Sequence, residues 1–303
     1  MQALSTETGN RIDEAAIEEC ARGNSDPQMI EWLTQGLRTW QDLRDRSLNW
    51  LAWFARHSRI PEVVRRTSVD PDAGIRTLTA GNVNAPVDVL DCLAQDSDFN
   101  VRMEVASNLH TSHASLALLA RDHVAYVRGR VAANPNTPVE VLKDLMRDSY
   151  ADTRMGIAQN RNATPDMLSE LARDGETDVV RAVTHNRNTP ARALKRLASH
   201  RLSWVRLGVA ANRSTPVESL KNLSRDRDSD VRTYLAMNES LPADLMSKLA
   251  SDRFSTVRWY LALNKKTPRP VLEVLSRDTD SLTRNSALAG LQRINADMSD
   301  NQM

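Results

Sequence analysis

The chain has 303 residues, and its 40 basic side chains nearly balance its 39 acidic ones, which leaves a net charge of +1. Bulk charge therefore gives no argument for a nucleic-acid-binding or membrane-surface protein, although local patches stay open. The only two cysteines, Cys20 and Cys92, exclude a disulfide scaffold, a cysteine-held iron–sulfur site and a four-cysteine zinc site.

The first 49 residues are predicted to form a tryptophan-rich helical cap. The segment begins without a basic start or an apolar stretch, and no run of the chain is apolar enough for a membrane helix, so we expect a cytoplasmic protein. Trp32, Trp40, Trp50 and Trp53 lie in or beside the segment. Large side chains of this kind close the end of a repeat array, because a terminal repeat lacks one neighbour. A surface for docking a partner is the alternative interpretation.

A repeat of 26 residues covers residues 50–292. In steps of 26 from Arg76 to Arg284, arginine occupies every position except one, Val180. An asparagine follows six residues after the first eight of these positions, from Asn82 to Asn264, and a leucine follows after seventeen. This regularity predicts about nine or ten copies of one structural unit.

Each unit is predicted to contain two short helices. The first follows D-x-D-x-x-V-R-x-x-V-A-x-N, in which apolar residues such as Val127 and Val131 recur at helical spacing. The second follows T-P-x-x-x-L-x-x-L-x-x-D, in which a pair such as Thr137 and Pro138 supplies the N-cap and the first helical residue. So short a helix cannot bury its apolar side alone. Stacked units therefore predict an all-α, right-handed superhelical solenoid without a β-sheet.

This motif resembles the repeat of the leucine-rich repeat variant family of bacteria over roughly residues 50–290. The resemblance implies a HEAT-like helical solenoid, in which one helix of each unit can be 3₁₀, and the spacing does not decide which. It also implies a binding role without naming a ligand. Some members have a cysteine-rich iron–sulfur segment before the repeats, whereas this chain has only Cys20 there.

Two ladders of polar residues are predicted to be structural. Asparagine at a helix end tolerates the left-handed conformation and bonds nearby backbone. The arginine position is lost at Val180, and the aspartate position twenty residues later is lost in the same unit, at His200. Because antiparallel helices place the start of the first beside the end of the second, we expect ion pairs across this spacing. The expected pairs are Arg76–Asp96, Arg102–Asp122, Arg128–Asp148, Arg154–Asp174, Arg206–Asp226, Arg232–Asp252 and Arg258–Asp278.

Residues 181–213 form a basic block that contains no acidic residue. Basic side chains beside an aromatic ring are suited to a phosphate backbone and its bases. The predicted patch for an anionic partner consists of Arg181, Arg187, Arg192, Lys195, Arg196, Arg201, Trp204, Arg206 and Arg213. Arg161, Lys265 and Lys266 continue a basic edge at the repeat spacing. The alternative is ordinary variation on an arginine-rich surface.

A second candidate site is aromatic. Tyr234 and Tyr260 stand two residues after the arginine position in successive units, and Trp259 adjoins them. These positions lie away from the Val/Ala stripe, so exposed rings here would favour recognition of a protein. The alternative is that the rings fill gaps between repeats.

The sequence favours a non-enzymatic scaffold that binds another protein. It contains no phosphate-binding, dinucleotide-binding, zinc-protease or hydrolase motif, so we expect no enzyme, no cofactor and no metal. Binding of nucleic acid through the basic block is the second hypothesis. Some HEAT-like solenoids are DNA glycosylases, but no motif here matches one. The tail, residues 293–303, is predicted to be disordered.

Overall fold

The computed structural model describes residue 12 and residues 14–23, 26–34 and 39–300, with side chains described up to residue 296. In this part of the chain the regular structure is helical, and no β-sheet occurs. The chain divides into two compact units, Met1–Gly156 and Ile157–Met303. These are called unit 1 and unit 2.

Unit 1 contains the described part of the N-terminal cap and the first repeats. Its helices are α1 (Glu14–Gly23), α2 (Pro27–Thr34), α3 (Trp40–Arg46), α4 (Leu48–His57), α5 (Pro61–Thr67), α6 (Ala73–Ala80), α7 (Val87–Leu93), α8 (Phe99–Ser107), α9 (His113–Leu119), α10 (Ala125–Ala133) and α11 (Val139–Leu145). The next helix, α12 (Ala151–Gln159), includes the boundary between the units.

Unit 2 contains the remaining repeats. Its helices are α13 (Pro165–Leu171), α14 (Thr177–His185), α15 (Ala191–Leu197), α16 (Ser203–Ala211), α17 (Val217–Leu223), α18 (Ser229–Ala236), α19 (Ala243–Leu249), α20 (Ser255–Leu263), α21 (Arg269–Leu275) and α22 (Ser281–Asp300). From α4 onward, even numbers mark the first helix of each repeat and odd numbers mark the second. Both kinds are α-helical in the described residues, so neither is 3₁₀.

The core of each repeat is built from the apolar stripes of its two helices. In α16, Val205 and Val209 are fully buried, and in α17 Leu220 and Leu223 are buried as well. Successive first helices contact one another, as α14, α16, α18 and α20 do in unit 2. A helix of seven to nine residues is marginal alone, so this stacking supplies most of its stability. The predicted all-α repeat architecture is confirmed.

The turns that join the helices fall into two kinds. An asparagine turn follows each first helix from α6 to α20 and carries the ladder asparagine, whereas an aspartate turn, with His200 in place of aspartate after α15, follows each second helix. Arg128, on a first helix, contacts Asp148 in the aspartate turn of the same repeat, so the two helices of a repeat run antiparallel. The two kinds of turn therefore lie at opposite edges of the helix layers.

The second helices start one residue later than predicted. Helix α11 begins at Val139, and Pro138 occupies the N-cap in an extended conformation without a side-chain cap. The hydroxyl of Thr137 instead donates to the carbonyl of Val131, at 2.6 Å, and fastens the turn to the end of the first helix. Where serine replaces that proline, at Ser112, the side chain does cap the helix by accepting from the Ser115 N–H, at 3.1 Å.

The asparagine ladder is structural, as predicted, but the proposed left-handed conformation is wrong. Asn134 is extended, with φ −66° and ψ 123°. Its Nδ2 donates to the carbonyls of Ala106, at 2.8 Å, and Asn108, at 3.0 Å, in the preceding repeat. Its Oδ1 accepts the N–H of Asn136, at 2.9 Å. The side chain thus joins neighbouring repeats rather than closing its own helix.

Six of the seven expected ion pairs are confirmed. They are Arg76–Asp96, Arg102–Asp122, Arg128–Asp148, Arg206–Asp226, Arg232–Asp252 and Arg258–Asp278. In the seventh pair, Arg154 belongs to unit 1 and Asp174 to unit 2, so that pair stays a prediction. In each confirmed pair Nε and Nη2 of the arginine donate to the two carboxylate oxygens. The hydrogen bond from Arg76 holds the pKa of Asp96 below its ordinary value, against the opposing effect of burial.

The two ends of the chain differ in how they meet the predictions. Trp40 is buried and packs edge-on against Phe54, with ring centroids 5.2 Å apart. The boundary at residue 49 stays a prediction, and residues 1–11, 13, 24–25 and 35–38 lie outside the described residues. The predicted disorder from residue 293 is wrong up to residue 300, because α22 continues without a glycine or proline to end it. Asn295 accepts a hydrogen bond from Arg269, at 2.8 Å, and residues 301–303 lie outside the described residues.

Candidate functional site

The basic block does not form one patch. Arg206 is only 7% exposed, and its guanidinium is bound by Asp226 with an Nε–Oδ2 distance of 2.6 Å. It occupies the arginine position of the ladder, so its place in the anionic-partner patch is wrong. The other basic residues of the block lie on several sides of the repeats.

One group lies on the second helix α15. Arg192, Lys195 and Arg196 are all exposed there. Arg192 is engaged by the carboxylate of Asp166, at 2.6 Å, and by the hydroxyl of Ser169, at 3.0 Å. Burial and the nearby charge of Arg173 lower the pKa of Arg196. These contacts join α15 to the preceding second helix.

A second group lies on α14 and in the turn before α16. Arg181, on α14, is 3.2 Å from Asp178, and its guanidinium lies 5.8 Å from the ring centroid of the half-buried Trp204. This contact has the geometry of a cation–π interaction. Arg201 is exposed in the aspartate turn before α16.

The third group lies at the edge formed by the asparagine turns. Arg161, Arg187 and Arg213 follow successive ladder asparagines, and all three are exposed. Lys265 and Lys266 are exposed in the corresponding turn after α20. Glu239 takes this position in the intervening turn and pairs with Arg213, at 2.8 Å. The basic edge is therefore interrupted by one carboxylate.

A pocket opens between two of these turns. It has a volume of about 550 Å³ and is lined by His185, Arg187, Ala211, Asn212, Arg213 and Ser214. Its walls are the ends of α14 and α16 with their asparagine turns. Every charged side chain that lines it is basic. We refer to it as the basic pocket.

The aromatic candidates separate into an exposed part and a supporting part. Tyr234 is 41% exposed, whereas Trp259 and Tyr260 are half-buried. Trp259 packs against Tyr260, with centroids 4.7 Å apart, and donates to the hydroxyl of Ser286, at 3.1 Å. Trp259 thus fills space against α22, which was the alternative interpretation of this group.

Two apolar residues that the sequence reasoning missed complete this surface. Met237 and Leu263, one turn after Tyr234 and Tyr260, are each 46% exposed. Both occupy the position five residues after the ladder arginine, and that shared position was a visible signal. Because α18 and α20 contact each other, the four side chains lie on neighbouring helices, with Met237 as the C-cap of α18. We refer to Tyr234, Met237, Tyr260 and Leu263 as the apolar surface.

No family model matches the chain, and no curated protein matches it. The chain resembles a leucine-rich repeat variant. A solved structure described by that name is 24% identical, covers 76% of this chain and 82% of its own, and has a TM-score of 0.44. An engineered protein is 18% identical, covers 88% of this chain and 98% of its own, and has a TM-score of 0.42. A computationally designed armadillo repeat protein for modular peptide recognition covers the same shares at 16% identity, with a TM-score of 0.18.

Among the described helices, none is long and apolar enough to cross a bilayer. Across the described ranges, histidine, cysteine, aspartate and glutamate side chains nowhere gather in groups of three or more that could hold a metal ion.

Proposed function

We propose that this chain is a non-enzymatic scaffold that binds another protein through the apolar surface. The exposure of Tyr234, Met237 and Leu263 on two adjacent first helices carries the proposal. Large apolar side chains scattered singly on a surface need no explanation, but a group on neighbouring helices is typical of an interaction site. Burial of each such side chain contributes about 1.5 to 3 kcal/mol.

A cytoplasmic location and the absence of a cofactor belong to the same proposal. Cys20 is buried and Cys92 is exposed. A chain with only two cysteines is typical of a reducing compartment. The repeat framework itself supports a scaffold, because its polar ladders are occupied by contacts within the chain.

Capture of partners from a native lysate at moderate salt, quantified by mass spectrometry, tests the proposal. Wild type should retain a partner that the Tyr234→Ala/Tyr260→Ala variant loses. Tyr126→Ala is the matched control, since Tyr126 is an exposed tyrosine far from the apolar surface in sequence. A thermal melt of each variant checks folding, because Tyr260 is half-buried. Equal retention by the folded double variant would contradict the proposal.

Binding of nucleic acid is the second candidate function. The alignment of Arg161, Arg187 and Arg213 in successive asparagine turns favours it. Anisotropy of labelled single- and double-stranded DNA and RNA should then show binding that weakens steeply with salt. An Arg187→Glu/Arg213→Glu variant should lose that binding, whereas Arg192→Glu/Lys195→Glu/Arg196→Glu on α15 should lose less of it.

A further inference from the structure

The basic pocket has a fixed frame. The hydroxyl of Ser214 donates to the carbonyl of Arg187, at 3.2 Å, which joins the two asparagine turns that form its walls. Nδ2 of Asn212 donates to the carbonyls of Thr184 and Asn186, at 2.8 and 3.1 Å, which joins the same two repeats. These bonds tie together the backbone of the two turns that form the walls of the pocket.

His185 is also held in place. Its Nδ1 lies 3.0 Å from the carbonyl of Arg181. Nδ1 also lies 3.2 Å from the hydroxyl of Thr184, and the two contacts together orient the ring. The ring thus adds a polar group to the two guanidinium groups.

The charges of the pocket favour an anion. Arg187 has no ion-pair partner among the described residues. Arg213 is bound by Glu239 of the next turn, with both side chains partly exposed to solvent, at 69% and 39%. Arg213 thus already binds a carboxylate. A surface ion pair of this kind contributes little free energy, so a carboxylate of a partner can replace Glu239.

The basic pocket and the apolar surface lie along one line of positions. His185, Ala211, Met237 and Leu263 occupy the same position at the ends of α14, α16, α18 and α20, five residues after the ladder arginine or Val180. Packed helices stand about 8 to 10 Å apart, so one extended segment can reach from the pocket to the apolar side chains.

We infer that the basic pocket takes an acidic side chain of a segment of the partner protein, whose apolar side chains rest on the apolar surface. The inference rests on the proposed function and adds the chemistry of the partner. Guanidinium groups bind carboxylates by charge-assisted hydrogen bonds, which fix the register of the bound segment. The neighbouring apolar contacts then supply the binding free energy.

An acidic protein segment fits this edge better than a nucleic acid does. Glu239 interrupts the row of basic turns and would repel a continuous phosphate backbone. An acidic segment needs only one or two carboxylates at the pocket. The other basic residues of the block lie on α14, on α15, in an aspartate turn and, for the buried Arg206, on α16, away from this edge.

Selection from a random-peptide display library on the full chain tests the inference. Selected peptides should be enriched in aspartate or glutamate close to aliphatic or aromatic residues. A labelled selected peptide should bind the Arg187→Ala/Arg213→Ala variant about tenfold more weakly, as loss of a charge-assisted contact predicts. Arg201→Ala/Arg225→Ala, which removes the same charge from two exposed arginines near the aspartate turns, should change the affinity less than about twofold.

Glu239→Gln supplies a test that gains affinity. It removes the carboxylate that competes for Arg213, so the same peptide should bind about threefold more tightly, as expected for release from a surface pair. A variant that gains affinity cannot owe its effect to misfolding. An unchanged or weaker affinity in Glu239→Gln would overturn the role of Arg213.

The remaining outcomes separate this inference from the proposed function. Peptides that lack acidic enrichment, and that lose binding in Tyr234→Ala/Tyr260→Ala but not in Arg187→Ala/Arg213→Ala, overturn the inference and leave the proposed function standing. A labelled oligonucleotide that binds more tightly than any selected peptide, and that depends on Arg187 and Arg213, overturns the inference and supports the second candidate function. A library that yields no binding peptide also overturns the inference, while the capture of folded partners decides the proposed function.

Discussion

A single asparagine side chain makes three hydrogen bonds at the end of a first helix. Asn212 donates to two carbonyls of the preceding repeat and accepts the N–H of Ser214, at 2.8 Å. The sequence predicted the ladder and its structural role, because the spacing is invariant. It could not predict the acceptors, since they lie 26 and 28 residues earlier and become neighbours only when the repeats stack.

Asn212→Ala should lower the free energy of unfolding by at least about 2 kcal/mol, because two buried carbonyls lose their donor. The exposed Asn222 on α17 provides the control, and Asn222→Ala should change stability by less than about 0.5 kcal/mol. Urea denaturation followed by circular dichroism measures both. Equal stability of the two variants would show that the ladder is dispensable.

The paired aspartates make the stability of the protein depend on pH. The bond from Arg258 holds the pKa of Asp278 below its ordinary value, despite the opposing effect of burial. A carboxyl group with a lower pKa in the folded state stabilises the fold above its unfolded pKa of about 3.9 and loses that contribution as the pH falls through the folded pKa. The protein should therefore lose stability below about pH 4.

Asp278→Asn removes this contribution. At neutral pH the variant should be about 1.5 to 3 kcal/mol less stable, the value of a hydrogen bond to a charged group. Below about pH 4 its stability should fall less steeply than that of wild type. Urea unfolding over a series of pH values measures the slope, with Asp244→Asn as an exposed control. Parallel slopes for wild type and Asp278→Asn would contradict the role of the pair.

At the scale of one helix, the sequence located each element but missed some boundaries. Thr137 and Pro138 were correctly taken as the start of a helix. The start moved by one residue because the fixed φ of proline also suits an N-cap, and because the threonine hydroxyl has a stronger partner in the carbonyl of Val131. The extension of α22 was missed for a related reason, since its end carries no stop signal.

Close packing of α14 and α16 depends on a glycine. A Cβ added at Gly208 would lie 2.0 Å from Oγ1 and 2.8 Å from Cβ of Thr184. Gly208→Ala should therefore destabilise the protein by about 1 to 3 kcal/mol through overpacking. Gly175→Ala is the matched control, because a Cβ there meets nothing within 4 Å. Thermal melts compare the two, and a neutral Gly208→Ala would mean that the helices can separate without cost.

At the scale of the whole molecule, the repeat predicts which deletions the chain tolerates. Removal of residues 229–254 takes out one complete repeat of 26 residues. It joins Asp228 to Ser255, which occupies the same position in its repeat as Ser229. Because each repeat contacts only its neighbours, this variant should stay folded by circular dichroism and keep the oligomeric state of wild type by size-exclusion chromatography. Removal of residues 229–241, half a repeat, should abolish folding. Aggregation of the variant that lacks a full repeat would contradict the repeat architecture.

The same architecture explains why the predicted patch was dispersed. One repeat consists of a first helix, an asparagine turn, a second helix and an aspartate turn. A continuous run such as residues 181–213 therefore visits every side of the molecule. Residues that share a surface recur at steps of 26, as Arg187 and Arg213 do, or as Met237 and Leu263 do. Position within the repeat predicts a surface in this protein, and local composition does not.

The measurement that tests the binding scaffold most directly is site-specific photo-crosslinking in cells. Benzoylphenylalanine placed at position 234, within the apolar surface, should crosslink to a partner protein. The same group placed at position 126, where Tyr126 is 59% exposed, should not crosslink to that partner. A partner crosslinked only from position 234 would confirm contact at the apolar surface. Crosslinking from position 126 alone, or from neither position, would contradict the account.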